Sequence, residues 1–154
     1  MVDQSDIIVD MMMAKDAFSQ WLGIKVVDIA PGICQLQMQV DDEMCNGFSI
    51  AHGGIAFSLA DSCCSFAVNA HGRKSVSVET SINQHKAIQL GDSLNCVCKE
   101  ISLGKKLAVY TAEIYNQDGV MVALFKGTYY RSDKRWIEPN DSAAPATDAA
   151  APQP

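Results

Sequence analysis

The sequence has no apolar run approaching the roughly 20 residues that a membrane-spanning helix requires. Its first ten residues, MVDQSDIIVD, are acidic where a secretory signal would be basic. Positive charge is also scarce, since 12 Lys and Arg stand against 18 Asp and Glu and the formal net charge is −6. We therefore expect a cytoplasmic protein whose partners include neither nucleic acid nor a membrane.

The chain also lacks a C-x-x-C pair, and its histidines fall at no metal-ligand spacing. Six cysteines are present, of which Cys63 and Cys64 are adjacent, and the three histidines are His52, His71 and His85. Without an export signal, this pattern is typical of reduced thiols in a cytoplasm. We predict buried core cysteines and no metal site.

Residues 1–136 are predicted to form one folded domain and residues 137–154 a disordered tail. Hydrophobic residues make up 48% of the 154-residue chain, which is enough for a single core. From Pro139 the sequence reads PNDSAAPATDAAAPQP, and alanine and proline without large apolar side chains cannot form a core. We assign this tail no function.

The elements predicted within the domain give an α+β fold. Apolar spacing predicts an outer helix over about residues 3–22, followed by two strands separated by the turn Pro31-Gly32. Residues 53–70 are apolar around nearly the whole helical circumference, which is typical of a buried helix. Four antiparallel strands follow, and alternation in the first of them predicts one face made of Val76, Val78, Thr80 and Ile82.

One segment, NGFSIAHGGIAFSLAD, surrounds the predicted start of this buried helix with polar residues and glycines. Each residue by itself has an ordinary structural explanation. Asp61 would be a hydrogen-bonding residue in apolar company, and Asn46-Gly47 would be a turn. His52 would cap the helix, and Gly53-Gly54 would allow close backbone packing. The combination points to chemistry instead.

In combination, the segment resembles the signature of the hotdog-fold acyl-CoA thioesterases of the PaaI type: Asn46, five residues, His52-Gly53-Gly54, six residues, and Asp61. The similarity extends over about residues 16–131 and includes VSVETSIN, LGDSL, SLGKKLAVYTAEIYNQDG and VALFKGTYYR. The resemblance implies a hotdog fold, an antiparallel sheet of about five to six strands wrapped around one long buried helix, with an N-terminal helix. It also implies hydrolysis of a CoA thioester, with CoA as part of the substrate and no cofactor.

The resemblance further implies roles for the polar residues of the segment. Asp61 would be the nucleophile or the general base that activates water, and both roles need an ionised carboxylate. Gly54 would offer its N–H to the developing oxyanion, because a helix N-terminus carries unsatisfied N–H groups and glycine has no Cβ. Asn46 and His52 would hold the thioester and the water.

Ser77, in VSVE, matches a position that orients the water in related thioesterases, and Thr80 and Ser81 are alternatives for that role. Gly53 would lie beside the bound thioester. The acyl group would occupy a pocket lined by Phe57, Leu59, Phe66 and the partner chain. The phenylacetate-degradation branch of the family suggests an aryl-acetyl-CoA, for example a ring-hydroxylated one.

The phosphates of CoA require positive charge at the mouth of the site, and the candidates are Lys86, Lys105 and Lys106. The segment around Lys86 departs from the family pattern. Relatives often have a basic residue followed by proline before the Gly-Asp pair, whereas this chain reads HKAIQLGD. The transfer of roles from the family is therefore weakest at His85, Lys86 and Ala87.

The spacing of Gly54 and Asp61 predicts that the site is shared between two chains. The residues are seven positions apart, so on one helix they lie about 10 Å apart along the axis. A reacting carbonyl must be about 3 Å from both its attacking group and its oxyanion donors. An antiparallel helix of a two-fold partner could bring its Asp61 to this Gly54. The family resemblance implies the same arrangement, as a homodimer or a tetramer of two dimers.

Two alternatives remain beside the thioesterase interpretation. A hotdog hydratase or dehydratase would act on the acyl chain instead of the thioester bond, but such enzymes place their Asp and His differently. A non-catalytic acyl-CoA-binding protein could use the same fold. Asp61 disfavours that alternative, because a binding protein has little reason to keep a desolvated carboxylate beside a thioester.

Overall fold

The computed structural model describes residues 3–139, which form three α-helices and six β-strands. Residues 140–154, which make up most of the predicted tail, lie outside the described residues. The helices are α1 (Gln4–Met13), α2 (Ala17–Trp21) and α3 (Gly53–Asn69), and the strands are β1 (Lys25–Ala30), β2 (Ile33–Gln39), β3 (Arg73–Gln84), β4 (Ser93–Leu103), β5 (Leu107–Tyr115) and β6 (Met121–Arg135).

The strands form one antiparallel sheet in the order β1-β2-β4-β5-β6-β3. Helix α3 packs against five of the six strands most closely, β2 to β6, and ten of its residues are buried. Alternate residues of β2, β4 and β5 face this helix and are fully or almost fully buried. The α+β fold with one enclosed helix and a six-stranded sheet, predicted from the sequence, is confirmed.

The predicted outer helix over residues 3–22 is wrong in one respect, because the chain forms two helices there. Asp16 begins the second helix by accepting a hydrogen bond from the Ser19 N–H at 2.9 Å, which is the usual N-cap contact. Ile8 and Leu22 are buried as the periodicity predicts. Phe18 and Trp21 stack on each other at the surface, so the apolar stripe is only partly covered in this chain.

The predicted face of β3 is also wrong, because a β-bulge at Val78 changes the alternation. Ser77 pairs with Tyr129 and Glu79 pairs with Thr128, so Val78 has no partner on β6. Val76 and Val78 are more than half exposed, whereas Ile82 packs against the core. Strand β3 is at the edge of the sheet, and its exposed valines leave an apolar edge in the single chain.

Candidate active site

A hairpin-like loop before α3 places Asn46 beside the start of that helix. The His52 N–H donates to the Met44 carbonyl at 2.8 Å, and the Asn46 N–H donates to the Ile50 carbonyl at 2.8 Å. Asn46 Oδ1 accepts the Phe48 N–H at 2.9 Å, so the predicted turn forms. Within residues 3–139, Asn46 Nδ2 makes no hydrogen bond and is available to donate to a ligand.

His52 caps α3 and contacts the expected oxyanion donor directly. Its Nδ1 accepts the Gly54 N–H at 3.1 Å, and both residues are exposed. The helix cap and the expected oxyanion donor therefore involve the same group, the Gly54 N–H. Because the imidazole is exposed, a substrate oxygen can replace it on the Gly54 N–H when the side chain turns away.

Gly53 lies against the side chain of Gln84. A Cβ at Gly53 would be 2.7 Å from Gln84 Nε2, which donates to the Gly53 carbonyl at 3.3 Å. Gln84 ends β3, so this contact joins the last residue of the edge strand to the first turn of α3. Because Gly53 has no side chain, Gln84 can approach the start of α3 this closely. Nothing in the sequence indicated Gln84.

Asp61 lies in the middle of α3 and is half-buried. Its Oδ1 accepts a hydrogen bond from the Tyr129 hydroxyl at 3.1 Å. Burial raises the pKa of Asp61 above its ordinary value, and the Tyr129 hydrogen bond opposes that rise. Tyr129, in β6, is the second residue of the candidate site that no sequence pattern indicated, although it lies in the quoted segment VALFKGTYYR.

Gly54 and Asp61 belong to one uninterrupted helix, as the spacing argument requires. Helix α3 runs from Gly53 to Asn69, so its constant rise separates the two residues by about 10 Å along the axis. One chain therefore carries two separate groups of candidate residues, which we call half-sites. The first contains Asn46, His52 and the Gly54 N–H, and the second contains Asp61 with Tyr129.

The register of β3 and β6 places the three hydroxyl candidates relative to the second half-site. Ser77 pairs with Tyr129 and so shares the helix-facing side of the sheet with it. Thr80 pairs with Gly127 on the same side, but Ser81 pairs with Lys126 on the opposite side. Ser77 lies beside the residue that contacts Asp61, and Ser81 is excluded as an alternative in this chain.

Of the expected acyl-pocket residues, Phe57 lies partly at the surface, whereas Leu59 and Phe66 lie in the core. Phe57 is half-buried and packs edge-on against Phe125 at a ring distance of 5.4 Å. Leu59 and Phe66 are almost completely buried among core residues. The prediction that Leu59 and Phe66 line a pocket is therefore wrong for this chain, because both side chains point into the core between α3 and the sheet.

The three candidate lysines lie at opposite ends of α3. Lys86 follows β3, whose last residue contacts Gly53, so it lies near the N-terminal end of the helix. Lys105 and Lys106 lie between β4 and β5, and the Lys106 carbonyl accepts the Arg131 N–H at 2.8 Å. The adjacent end of β6 contacts the C-terminal end of α3, through the hydrogen bond from Trp136 to Asn69. Lys106 also forms an ion pair with Asp133 at 2.8 Å.

Replacing Asp61 with asparagine is expected to stabilise the protein at neutral pH. Because the pKa of Asp61 is raised in the folded state, the folded protein binds a proton more tightly than the unfolded chain. The free energy of unfolding therefore decreases as the pH rises through the interval between the unfolded and folded pKa values. Asp61→Asn removes the charge and keeps an oxygen for the Tyr129 hydroxyl.

The measurement is the melting temperature of both proteins at pH 7 and at about pH 4, where carboxyl groups become protonated. We expect Asp61→Asn to melt a few degrees higher at pH 7, with a smaller difference at the acidic pH. A lower melting temperature for Asp61→Asn at pH 7 would contradict the argument from burial.

Comparisons with known proteins identify the family of the chain. Residues 48–123 match the thioesterase superfamily. The chain is 37% identical to a putative esterase of Archaeoglobus fulgidus over 79% of each chain. It is 35% identical to acyl-coenzyme A thioesterase PaaI of Escherichia coli, over 78% of this chain and 86% of that protein.

Solved structures of such proteins share the fold. The structure of E. coli PaaI, from the phenylacetic acid degradation operon, superposes with a TM-score of 0.83 and covers 86% of this chain and 96% of PaaI, at 32% identity. A hypothetical thioesterase of Streptococcus pneumoniae with coenzyme A has a TM-score of 0.76 and 26% identity, and the match covers 83% of this chain and 98% of that one.

Proposed function

Because this chain belongs to the thioesterase superfamily, we propose that it hydrolyses an aryl-acetyl-CoA thioester at a site shared between two chains. The coarser activity follows from the family and its named members: the protein is an acyl-CoA thioesterase that forms a free acid and CoA. The aryl-acetyl group is supported by the similarity to PaaI, whose gene lies in the phenylacetic acid degradation operon.

The observation that carries the proposal is the pair of half-sites on α3. The exposed Gly54 N–H can donate to the carbonyl oxygen of a thioester, and Asn46 and His52 flank it. The Asp61 carboxylate of a neighbouring chain would then lie on the other side of the carbonyl carbon. Neither half-site is sufficient by itself, because about 10 Å of helix separates Gly54 from Asp61.

Two reaction sequences use the same carboxylate. As a general base, Asp61 takes a proton from water, the hydroxide oxygen adds to the carbonyl carbon, and the C–S bond breaks with the proton passing to the CoA sulfur. As a nucleophile, Asp61 forms a mixed anhydride and releases CoA, and water then hydrolyses the anhydride. Both sequences develop negative charge on the oxygen that the Gly54 N–H binds.

The apolar edge of β3 supports the pairing of two chains. Val76 is 63% exposed and Val78 is 57% exposed, and β3 has no neighbouring strand on its outer side among residues 3–139. Edge strands of this kind pair readily with a second copy. Two β3 strands related by a two-fold axis would extend the sheet and bring the two α3 helices together in opposite directions. The homotetramer stays a prediction.

This pairing also gives a position to the lysines. In an antiparallel pair of α3 helices, the C-terminal end of the partner's helix extends beyond the N-terminal end of this one. Lys105 and Lys106 of the partner subunit would then lie near this chain's Gly54, on the same side as its Lys86. We propose that these lysines attract the phosphates of CoA, although Lys106 must share its charge with Asp133.

We also propose that the enzyme works in the cytoplasm and without a bound cofactor. All six cysteines are free thiols, and five of them are buried, which fits a reducing compartment. No helix within residues 3–139 is long and apolar enough to cross a membrane.

A panel of CoA thioesters tests the proposed substrate. It compares short-chain, long-chain, phenylacetyl and hydroxyphenylacetyl thioesters by the release of CoA, with Asp61→Asn as the control for background hydrolysis. We expect the highest kcat/KM with the aryl-acetyl thioesters. A preference for long straight chains would overturn the aryl-acetyl proposal and keep the thioesterase assignment.

A second arm of the panel tests the lysines. It compares each CoA thioester with the corresponding pantetheine thioester, which lacks the nucleotide and its phosphates. We expect KM to rise by about tenfold for the pantetheine thioester, with a smaller change in kcat. Equal KM values would show that the phosphates are not recognised.

A further inference from the structure

Tyr129 lies in β6, fully buried, with its hydroxyl 3.1 Å from Asp61 Oδ1. We propose that Tyr129 is a positioning residue for thioester hydrolysis: it holds one oxygen of Asp61 so that the other faces the reacting groups. This inference rests on the proposed function, and it concerns a residue to which the signature segment assigns no role.

The Tyr129 ring packs against Gly127, which has no side chain to obstruct it. A Cβ at residue 127 would be 2.7 Å from Tyr129 Cε2 and 3.0 Å from the Tyr129 hydroxyl oxygen. The ring therefore lies across Gly127, in a position that any larger residue would obstruct. On the neighbouring strand β5, Tyr110 pairs with Gly127 and packs edge-on against the Tyr129 ring at 5.8 Å. The space left at Gly127 fixes the direction of the hydroxyl.

The hydrogen bond leaves Asp61 with two different oxygens. Oδ1 accepts the hydrogen bond from the Tyr129 hydroxyl, whereas Oδ2 has no hydrogen-bond partner among residues 3–139. As a general base, Oδ2 can take the proton of water, and as a nucleophile, Oδ2 can attack the carbonyl carbon. A carboxylate that could rotate freely would present its oxygens less often in the reactive direction.

The surroundings of Asp61 make Tyr129 the main polar influence on it. Within the described residues, burial and the Tyr129 hydrogen bond are the two effects on the pKa of Asp61, and they act in opposite directions. The other titratable groups near this pair are the thiols of Cys64 on α3 and Cys98 on β4, which face Tyr129, and Tyr110 on β5, whose ring packs edge-on against it. Asp16 contacts α3 only indirectly: it accepts a hydrogen bond from the Ser19 hydroxyl, which is in turn hydrogen-bonded to the Ser62 hydroxyl on α3. In the proposed pair, the N-terminus of the neighbouring α3 adds a partial positive charge that both variants below retain.

The experiment compares Tyr129→Phe with the matched control Tyr110→Phe. Each change removes one hydroxyl from a fully buried tyrosine, and each removes one hydrogen bond to a carboxylate, to Asp61 in the first case and to Glu100 at 2.6 Å in the second. Because the Tyr129 hydroxyl stabilises the ionised form of Asp61, its removal raises the pKa of Asp61. The acidic limb of the profile of kcat against pH should then move to higher pH.

We expect Tyr129→Phe to lower kcat at pH 7 by about tenfold while KM changes by less than about twofold. Tyr110→Phe should keep both the wild-type kcat and the wild-type acidic limb. Equal losses in the two variants without a shift of the acidic limb would mean that Tyr129 only fills the core. An unchanged kcat in Tyr129→Phe would also overturn the proposal.

A second measurement separates this inference from the proposed function. The carboxyl carbon resonance of Asp61 can be titrated by NMR in the wild type, in Tyr129→Phe and in Tyr110→Phe, without any substrate. We expect a higher pKa for Asp61 in Tyr129→Phe alone. If wild-type protein hydrolyses none of the thioesters, the proposed function fails; if the three titration curves of Asp61 coincide, the positioning role fails.

Discussion

Replacing Asp61 with alanine is expected to lower kcat by about 10²- to 10⁴-fold, because the ionised carboxylate is required whether Asp61 acts as base or as nucleophile. KM should stay within a few-fold of the wild-type value, since the carboxylate contributes to the transition state more than to substrate binding. The measurement is steady-state hydrolysis of the best thioester of the panel. The mass of the assembly, by light scattering, should be unchanged.

Asp61→Asn is the matched variant for this test. Asparagine keeps the shape of the side chain and an oxygen for the Tyr129 hydroxyl, but at neutral pH its amide can neither accept the proton of water nor form the anhydride. We expect Asn and Ala to be similarly inactive. Wild-type turnover in the alanine variant would show that Asp61 is neither the base nor the nucleophile, and substantial turnover in the asparagine variant would show that a charge at this position is unnecessary.

Mixing two inactive variants is expected to restore activity if the site is shared between chains. The first variant is Asp61→Ala, and the second is Gly54→Pro, which removes the N–H that would bind the oxyanion. In a mixed dimer, one site combines the intact Gly54 of the first chain with the intact Asp61 of the second. Random pairing at equal amounts makes half of the dimers mixed, so about a quarter of the wild-type activity should return.

Gly54→Pro is suited to this test because residue 54 is in the first turn of α3, where the helix needs no N–H donor. Its loss removes the hydrogen bond to His52 Nδ1 but no bond of the helix ladder. Circular dichroism and light scattering must show that both variants are folded and that subunits exchange. Failure to regain activity despite verified exchange would contradict the shared site.

The reverse mixture provides the control. A chain that carries both changes is mixed with wild-type chains. If the site is shared, every mixed dimer is inactive, because each of its two sites lacks either the Gly54 N–H or the Asp61 carboxylate. If each chain contains a complete site, the wild-type half of a mixed dimer stays active. Mixed dimers are therefore inactive if the site is shared, and they keep one active site if each chain contains a complete site.

The candidate site shows which of its parts depend on local sequence. The helix start at Gly53, the cap at His52 and the turn at Asn46 all form as predicted, because each depends on hydrogen bonds between residues a few positions apart. The separation of Gly54 and Asp61 was also predictable, because the rise of an α-helix is the same in every sequence.

Other parts depend on contacts between distant segments, and no sequence pattern indicated them. Gln84 is 31 residues from Gly53, and Tyr129 is 68 residues from Asp61. The single bulged residue Val78 changes which residues of β3 face α3. Ser81 therefore lies on the side of the sheet opposite the helix and is excluded as the residue that orients the water. Alternation of residue types cannot reveal such a bulge, because on an edge strand both faces hold small and polar residues.

The sequence by itself determined the six strands, the buried helix and the order of the signature residues, since periodicity and backbone hydrogen bonding act over short distances. It also determined that one helix cannot place Gly54 and Asp61 on the same carbonyl. Only the tertiary structure decided which hydroxyl holds the carboxylate. The contact of Tyr129 with Asp61 depends on the register of β6 against β3 and β5, on the space left at Gly127 and on the packing of α3 across the sheet. Those quantities are set by the packing of the whole domain.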